Sequence, residues 1–268
     1  MSDASSGEGS YASVNGLALY HEIHGSGDPL VLIPGGLMTI DMMGLIVPSL
    51  ATTRQVIAIE PQAHGHTTDT DRPLSYEQMA DDAAALIRHL GFERADVFGF
   101  SAGGGVALQT AIRHPNVVRK LVLVSATHTS DGEYPEIRAF TSSFEADTPM
   151  LVANREAYVR AAGTPGGWAV LVAKMRQLLT EGYDWAEDVG AIRAPALVVA
   201  GDADTLPPSH AVEMFTLLGG GMASTAMGGP ARSHLALLPA TTHLSILSRV
   251  DLLVPIISSF LDAPMPQG

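Results

Sequence analysis

The stretch Ala95-Asp96-Val97-Phe98-Gly99-Phe100-Ser101-Ala102-Gly103-Gly104-Gly105 decides how this chain is read. Residues 99–103 form a G-x-S-x-G pattern. The run 96–100 in front of it predicts a strand. Residues 103–114 behind it predict a helix that must stop before Pro115. A serine at such a strand-to-helix turn is lifted above the sheet on a nucleophile elbow. The turn requires glycine, because a Cβ at 99 or 103 would collide with opposing backbone, and it holds the serine in a strained conformation. So short a pattern also arises by chance, and its weight depends on whether a base, an acid and oxyanion donors follow other strands in the right order.

Working outward, residues 11–14 and 17–23 flank Asn15-Gly16, the strongest short hairpin signal. Residues 30–33 predict a buried strand ending in Pro34-Gly35-Gly36, and 56–59 another ending in Glu60-Pro61. Residues 75–90 predict a helix, with Ser75 and Gln78 as a capping box and Gly91 as its stop. Met79, Ala83, Leu86, Ile87 and Leu90 share one face of it. Downstream, 121–125, 196–200 and 235–238 predict strands, while 208–218 and 251–262 predict helices. Residues 1–9 read as a loose tail and the Gly-rich 219–230 as a mobile surface loop. Between 128 and 190 the strand signal gives way to short helical pieces carrying Trp168 and Trp185. A hairpin followed by alternating strands and helices implies a mostly parallel sheet covered on both faces. The domain reading is an α/β core over 1–127 and 191–268, with a helical cap over 128–190.

The chain has 268 residues, enough for one large α/β domain with an insertion. Its net charge of −13 repels nucleic acid and anionic membranes, so neither is an expected partner. It contains no cysteine, which excludes disulfides, thiolate zinc sites, Fe–S clusters and a thiol nucleophile. The polar, acidic N-terminus lacks a signal-peptide pattern and no apolar stretch approaches a membrane span, so the expected location is cytoplasmic. A small-molecule substrate is the expected partner, and a homodimer is compatible with the sequence.

A serine hydroxyl needs a base within hydrogen-bond reach, and the base needs an orienting carboxylate. In a parallel sheet these groups gather after the carboxyl ends of strands. The strand at 196–200 leads into Gly201-Asp202-Ala203-Asp204, where Asp204 is the candidate acid and Asp202 the candidate turn brace. The last strand leads into Pro239-Ala240-Thr241-Thr242-His243. Of ten histidines, His243 alone combines that position with the chain order Ser…Asp…His. The Ala102 N–H, at a helix start, is one candidate oxyanion donor, and the Gly36 N–H is the other. His64 and His66 sit two apart on a loop with no third ligand nearby in sequence, so no metal and no cofactor are expected.

Taken in order, Pro34-Gly35-Gly36, Gly99 to Gly103, Gly201 to Pro208 and Leu238 to His243 make the chain resemble the α/β-hydrolase fold superfamily, serine-nucleophile branch, over nearly its whole length. Glu60 to His66 looks like that family's Asp-x-x-Gly-His-Gly loop, with Glu60 in place of Asp and a turn-stabilising His64. Pro34 stands where the family usually carries His. The resemblance implies an eight-stranded sheet with a helical cap after the sixth strand.

The expected activity is metal-free hydrolysis of a carboxylic ester or lactone through an acyl-enzyme on Ser101, Asp204 and His243. The cap composition predicts an apolar or aromatic substrate, with Leu37, Phe140, Phe144, Trp168 and Met175 as pocket walls. Cofactor-free C–C hydrolysis, perhydrolysis and lyase chemistry run on similar triads, and a hydrolase-like ligand-binding protein is the alternative outside catalysis.

Overall fold

Asn15 (φ 47°) and Gly16 (φ 79°) both take the positive φ that a two-residue hairpin turn requires. They join β1 (Gly9–Val14) to β2 (Leu17–His24), which pair antiparallel with Val14 opposite Leu17. The structure is a computed structural model, and it describes residues 7, 9–228 and 232–266. The tail expected over 1–9 falls largely outside those residues, and its last residue, Gly9, opens β1.

Six further strands follow: β3 (Asp28–Ile33), β4 (Arg54–Glu60), β5 (Ala95–Phe100), β6 (Val118–Val124), β7 (Ala196–Ala203) and β8 (Ser233–Thr242). They complete an eight-stranded sheet of order β1-β2-β4-β3-β5-β6-β7-β8. Every pairing from β4 to β8 is parallel, and β2 meets β4 antiparallel. The sheet alternates its side chains between two apolar layers, as strand geometry requires. Val31, Ile33, Val97, Leu121 and Leu123 face one side, while Leu30, Leu32, Phe98, Val122 and Val124 face the other. On the first side lie α2 (Tyr76–His89), α3 (Ala102–Arg113) and α8 (Pro208–Leu217); on the second lie α1 (Ile46–Leu50) and α10 (Val250–Asp262). No helix among the described residues is long and apolar enough to cross a membrane.

The Ser75 hydroxyl caps α2 by accepting the Gln78 N–H at 3.1 Å. Gln78 does not complete the box, because its amide turns to Asp82 at 3.4 Å. In β5, Asp96 is fully buried and held by Arg119 through Nε (2.8 Å) and Nη2 (2.6 Å), so the strand expected over 96–100 begins with an ion pair. Between β6 and β7 come α4 (Pro135–Thr141), α5 (Val152–Ala162), α6 (Gly166–Thr180) and α7 (Ala186–Ala191). The stretch expected as a surface loop over 219–230 contains the short helix α9 (Ala223–Ala226), and residues 229 and 230 lie outside the described residues.

Candidate active site

Ser101 sits between β5 and α3 with φ 53° and ψ −122°, a conformation that side chains rarely adopt. Its N–H donates to the Val124 carbonyl at 2.9 Å, and its own carbonyl accepts the Gly104 N–H at 2.8 Å. These bonds hold the strain in place. A Cβ on Gly99 would lie 2.2 Å from the Gly103 carbonyl oxygen. A Cβ on Gly103 would lie 2.3 Å from the carbonyl oxygens of Ile33 and Pro34, so the end of β3 is the obstacle there.

His243 follows β8 and turns its imidazole back over the elbow. Its Nε2 lies 3.0 Å from Ser101 Oγ and its Nδ1 lies 2.7 Å from Asp204 Oδ1. The Phe100 ring stands 5.1 Å from the imidazole, centroid to centroid. Asp204, just beyond β7, is fully engaged. Oδ1 also accepts the Thr205 N–H at 2.8 Å, while Oδ2 accepts the Ser125 hydroxyl at 2.6 Å and the Gly201 N–H at 3.0 Å. Burial alone would raise this carboxyl. The bond and charge from His243, with Ser125 and Gly201 behind them, reverse that and hold it below its ordinary range. Asp202 points elsewhere and accepts the Thr241 N–H at 3.1 Å, tying β7 to the end of β8.

Gly36 and Ala102 meet across the elbow, for a Cβ on Gly36 would lie 3.4 Å from the Ala102 Cβ. Among the described residues neither N–H has a protein acceptor. The neighbouring Leu37 N–H is engaged, donating to His64 Nε2 at 3.2 Å. His64 is buried, and its Nδ1 donates to the Gln62 carbonyl at 3.0 Å. Burial outweighs its backbone hydrogen bonds and lowers the imidazole to about 4, so it stays neutral. His64 thus braces the loop after Pro34 from the neighbouring loop. Glu60 braces the same region, accepting the Ile40 N–H (3.1 Å) at Oε1 and the His66 N–H (2.6 Å) at Oε2.

Two recesses meet at Ala102. One is apolar, about 230 Å³ including space open to solvent, and lined by Gly36, Met79, Val106 and Met175. The other holds Ser101 itself and spans about 520 Å³, counted the same way. Its wall includes Tyr76, Ser125, Thr127, Glu133, Arg138 and Tyr183.

This corrects the expected pocket. Of the five residues proposed as walls, only Met175 lines either recess. Phe140 and Phe144 pack edge to face on each other at 5.2 Å. Trp168 is buried with its Nε1 donating to the Ala146 carbonyl at 2.8 Å. Leu37 is buried and lines neither recess, and its carbonyl accepts Asn154 Nδ2 at 3.1 Å. Phe140 packs on Phe144 and Trp168 against Tyr158, while Tyr183, which was not among the expected walls, lines the Ser101 recess and packs with Tyr76 and Trp185. Glu133 and Arg138 escaped the sequence reading because nothing in their spacing announces a site.

Among the described residues, one group of three could present ligands to a metal: His128, His210 and Glu213. The two imidazoles stack at 4.3 Å with 6° between planes, so their in-plane lone pairs run parallel and do not converge. His210 Nε2 also accepts the His128 N–H at 3.3 Å. His64 and His66 have separate partners, Leu37 and Glu60.

Residues 28–168 match the family described as alpha/beta hydrolase fold. The 2-hydroxymuconate semialdehyde hydrolase of Pseudomonas sp. (strain CF600) is 32% identical over 69% of this chain and 73% of its own. Serine hydrolase BPHL of Homo sapiens is 28% identical over 73% of this chain and 70% of its own. Among solved structures, the enol-lactonase from Burkholderia xenovorans LB400 superposes with a TM-score of 0.74 at 21% identity, covering 94% of this chain and 100% of that one.

Proposed function

The chain belongs to the α/β-hydrolase fold family, and on that premise we propose that it is a serine hydrolase that cleaves a carboxylic ester or lactone through an acyl-enzyme. The observation that carries this reading is the continuous line from Asp204 Oδ1 to His243 Nδ1 (2.7 Å) and from His243 Nε2 to Ser101 Oγ (3.0 Å). In this reading Ser101 Oγ attacks the carbonyl carbon while its proton passes to His243 Nε2. The oxyanion is held by the Gly36 and Ala102 N–H groups. Collapse breaks the bond to the leaving oxygen, which takes the proton from His243. Water then attacks the acyl-enzyme, giving its proton to His243. The acid departs as that proton returns to Ser101 Oγ.

Likeness to a 2-hydroxymuconate semialdehyde hydrolase supports a second reading, in which the same three residues carry out cofactor-free C–C hydrolysis. A panel of aryl esters, lactones and ring-cleavage products separates the two. The reading as a whole is tested with Ser101→Ala, which removes turnover and leaves the fold unchanged. Equal hydrolysis by this variant and the wild type overturns it.

A further inference from the structure

We propose that Glu133 is the specificity-determining residue of this site, selecting substrates whose non-reacting portion carries a protonated amine. The inference rests on the hydrolase reading above and deepens it. Glu133 lines the recess that holds Ser101 and also the outer depression formed with Asp131, Pro135, Arg138, Ala139 and Ser142. A ligand that occupies either recess lies against a wall to which this carboxylate contributes.

Its position is fixed by backbone. The next residue, Tyr134, donates its N–H to the Thr205 carbonyl at 3.0 Å, directly after Asp204. The preceding residue, Gly132, lies against His210, where a Cβ would come 2.5 Å from the ring, and donates to the Thr129 carbonyl at 3.0 Å. These contacts tie the backbone around Glu133 to the loop that carries Asp204.

Its charge has no cationic partner of its own. Among the described residues no lysine, arginine or histidine forms an ion pair with it. Arg138, on the same wall, is taken by Asp131. The neighbours that face it are Thr205, Arg138, His243 and Asp204, with Tyr76 and Tyr183 across the recess. Burial raises its carboxyl despite the attraction of His243, a hydrogen bond from the Thr205 hydroxyl and the attraction of Arg138. A half-buried carboxylate with a single hydroxyl donor and no ion pair remains costly until a further donor or a cation arrives to bond it. An alkylammonium supplies both. The apolar recess by Gly36 and Met175 then receives the smaller, uncharged part of the substrate.

The test compares isosteric pairs at pH 7.5 in wild type and Glu133→Gln. One pair places the charge in the acyl part, 4-nitrophenyl 6-aminohexanoate against 4-nitrophenyl heptanoate. The other places it in the leaving group, 4-(aminomethyl)phenyl acetate against 4-ethylphenyl acetate. The expected result is a preference of about ten-fold or more in kcat/KM for the cationic member of at least one pair, reduced to near unity in Glu133→Gln. No preference in the wild type, or equal loss on both members in the variant, overturns the proposal; equal loss assigns Glu133 to His243 instead. Calorimetric binding of benzylammonium, with benzyl alcohol as the neutral control, reads the same contact without turnover. Binding that Glu133→Gln abolishes supports the proposal even if no ester is hydrolysed, an outcome that would reject the ester reading alone.

Discussion

Leu37 and His64 are joined by a hydrogen bond of 3.2 Å, from the Leu37 N–H to His64 Nε2. Leu37 holds this position at φ 62°, a strained value for a branched side chain. The bond occupies the Leu37 N–H, while the Gly36 N–H beside it has no protein acceptor among the described residues. It also requires the neutral imidazole with its proton on Nδ1, which the Gln62 carbonyl accepts. His64→Phe fills the same space without an acceptor. It lowers kcat/KM by about ten-fold, less than the ~10²-fold typical of deleting an oxyanion donor outright. Steady-state kinetics read this, and unchanged kcat/KM shows that the brace has no bearing on the reaction.

Acid stability follows from two buried histidines. Burial lowers both His64 and His210 from 6.5 to about 4, with the charge of His128 adding to the effect at His210. The sign is fixed by which state binds the proton. Above pH 6.5 both states are neutral at these sites and their full contribution to stability is present. Between about 6.5 and 4 the unfolded chain takes up protons that the folded chain refuses, so stability falls with pH. Below about 4 the folded chain is protonated as well, and the loss is complete. Denaturant unfolding at pH 7 and pH 5 shows this drop, and His210→Asn makes it about one proton shallower. An unchanged pH slope in that variant contradicts the assignment.

The glycines of the elbow differ in what they guard. Gly103→Ala drives a Cβ to 2.3 Å from two backbone oxygens. That substitution destabilises by more than about 3 kcal/mol, at the upper end of overpacking costs, or prevents soluble expression. Gly36→Ala meets the Met175 methyl at 2.5 Å, and a flexible side chain can move aside. That variant folds, with thermal unfolding close to wild type, and its apolar recess is narrower. Equal melting temperatures for the two variants contradict the packing described.

Ser125→Ala removes the 2.6 Å bond to Asp204 Oδ2 and touches neither Ser101 nor His243. A hydrogen bond to a charged group contributes about 1.5–3 kcal/mol, so the carboxyl of Asp204 moves up toward its ordinary range and kcat falls by about ten-fold. Wild-type kcat in Ser125→Ala indicates that Gly201 and Thr205 alone hold Asp204.

Much of this architecture is legible in the chain because it rests on short-range signals. Asn15-Gly16, the apolar runs of β3 to β7 and the glycines at 99 and 103 each announce their own local geometry. Ser101, Asp204 and His243 each follow the carboxyl end of a strand, and the structure brings those three together. What sequence did not show depends on contacts between distant segments. Ser125 meets Asp204 across 79 positions, and Leu37 meets His64 across 27. Gln78 leaves its expected capping partner because Asp82, one turn on, offers a carboxylate. The pocket wall was misread for a related reason. Phe140, Phe144 and Trp168 stand out in composition, but ring packing absorbs them, while Glu133 reaches the site because Tyr134 is bonded to Thr205.

The central claim is that Ser101 is an activated nucleophile, and the most direct measurement is covalent labelling with a fluorophosphonate, followed by intact-protein mass spectrometry and peptide mapping. The account predicts one adduct per chain, on Ser101, formed rapidly in the wild type and absent or slowed by about 10³-fold or more in His243→Ala. Labelling of another residue, or equal labelling of Ser101 in the two proteins, would contradict it.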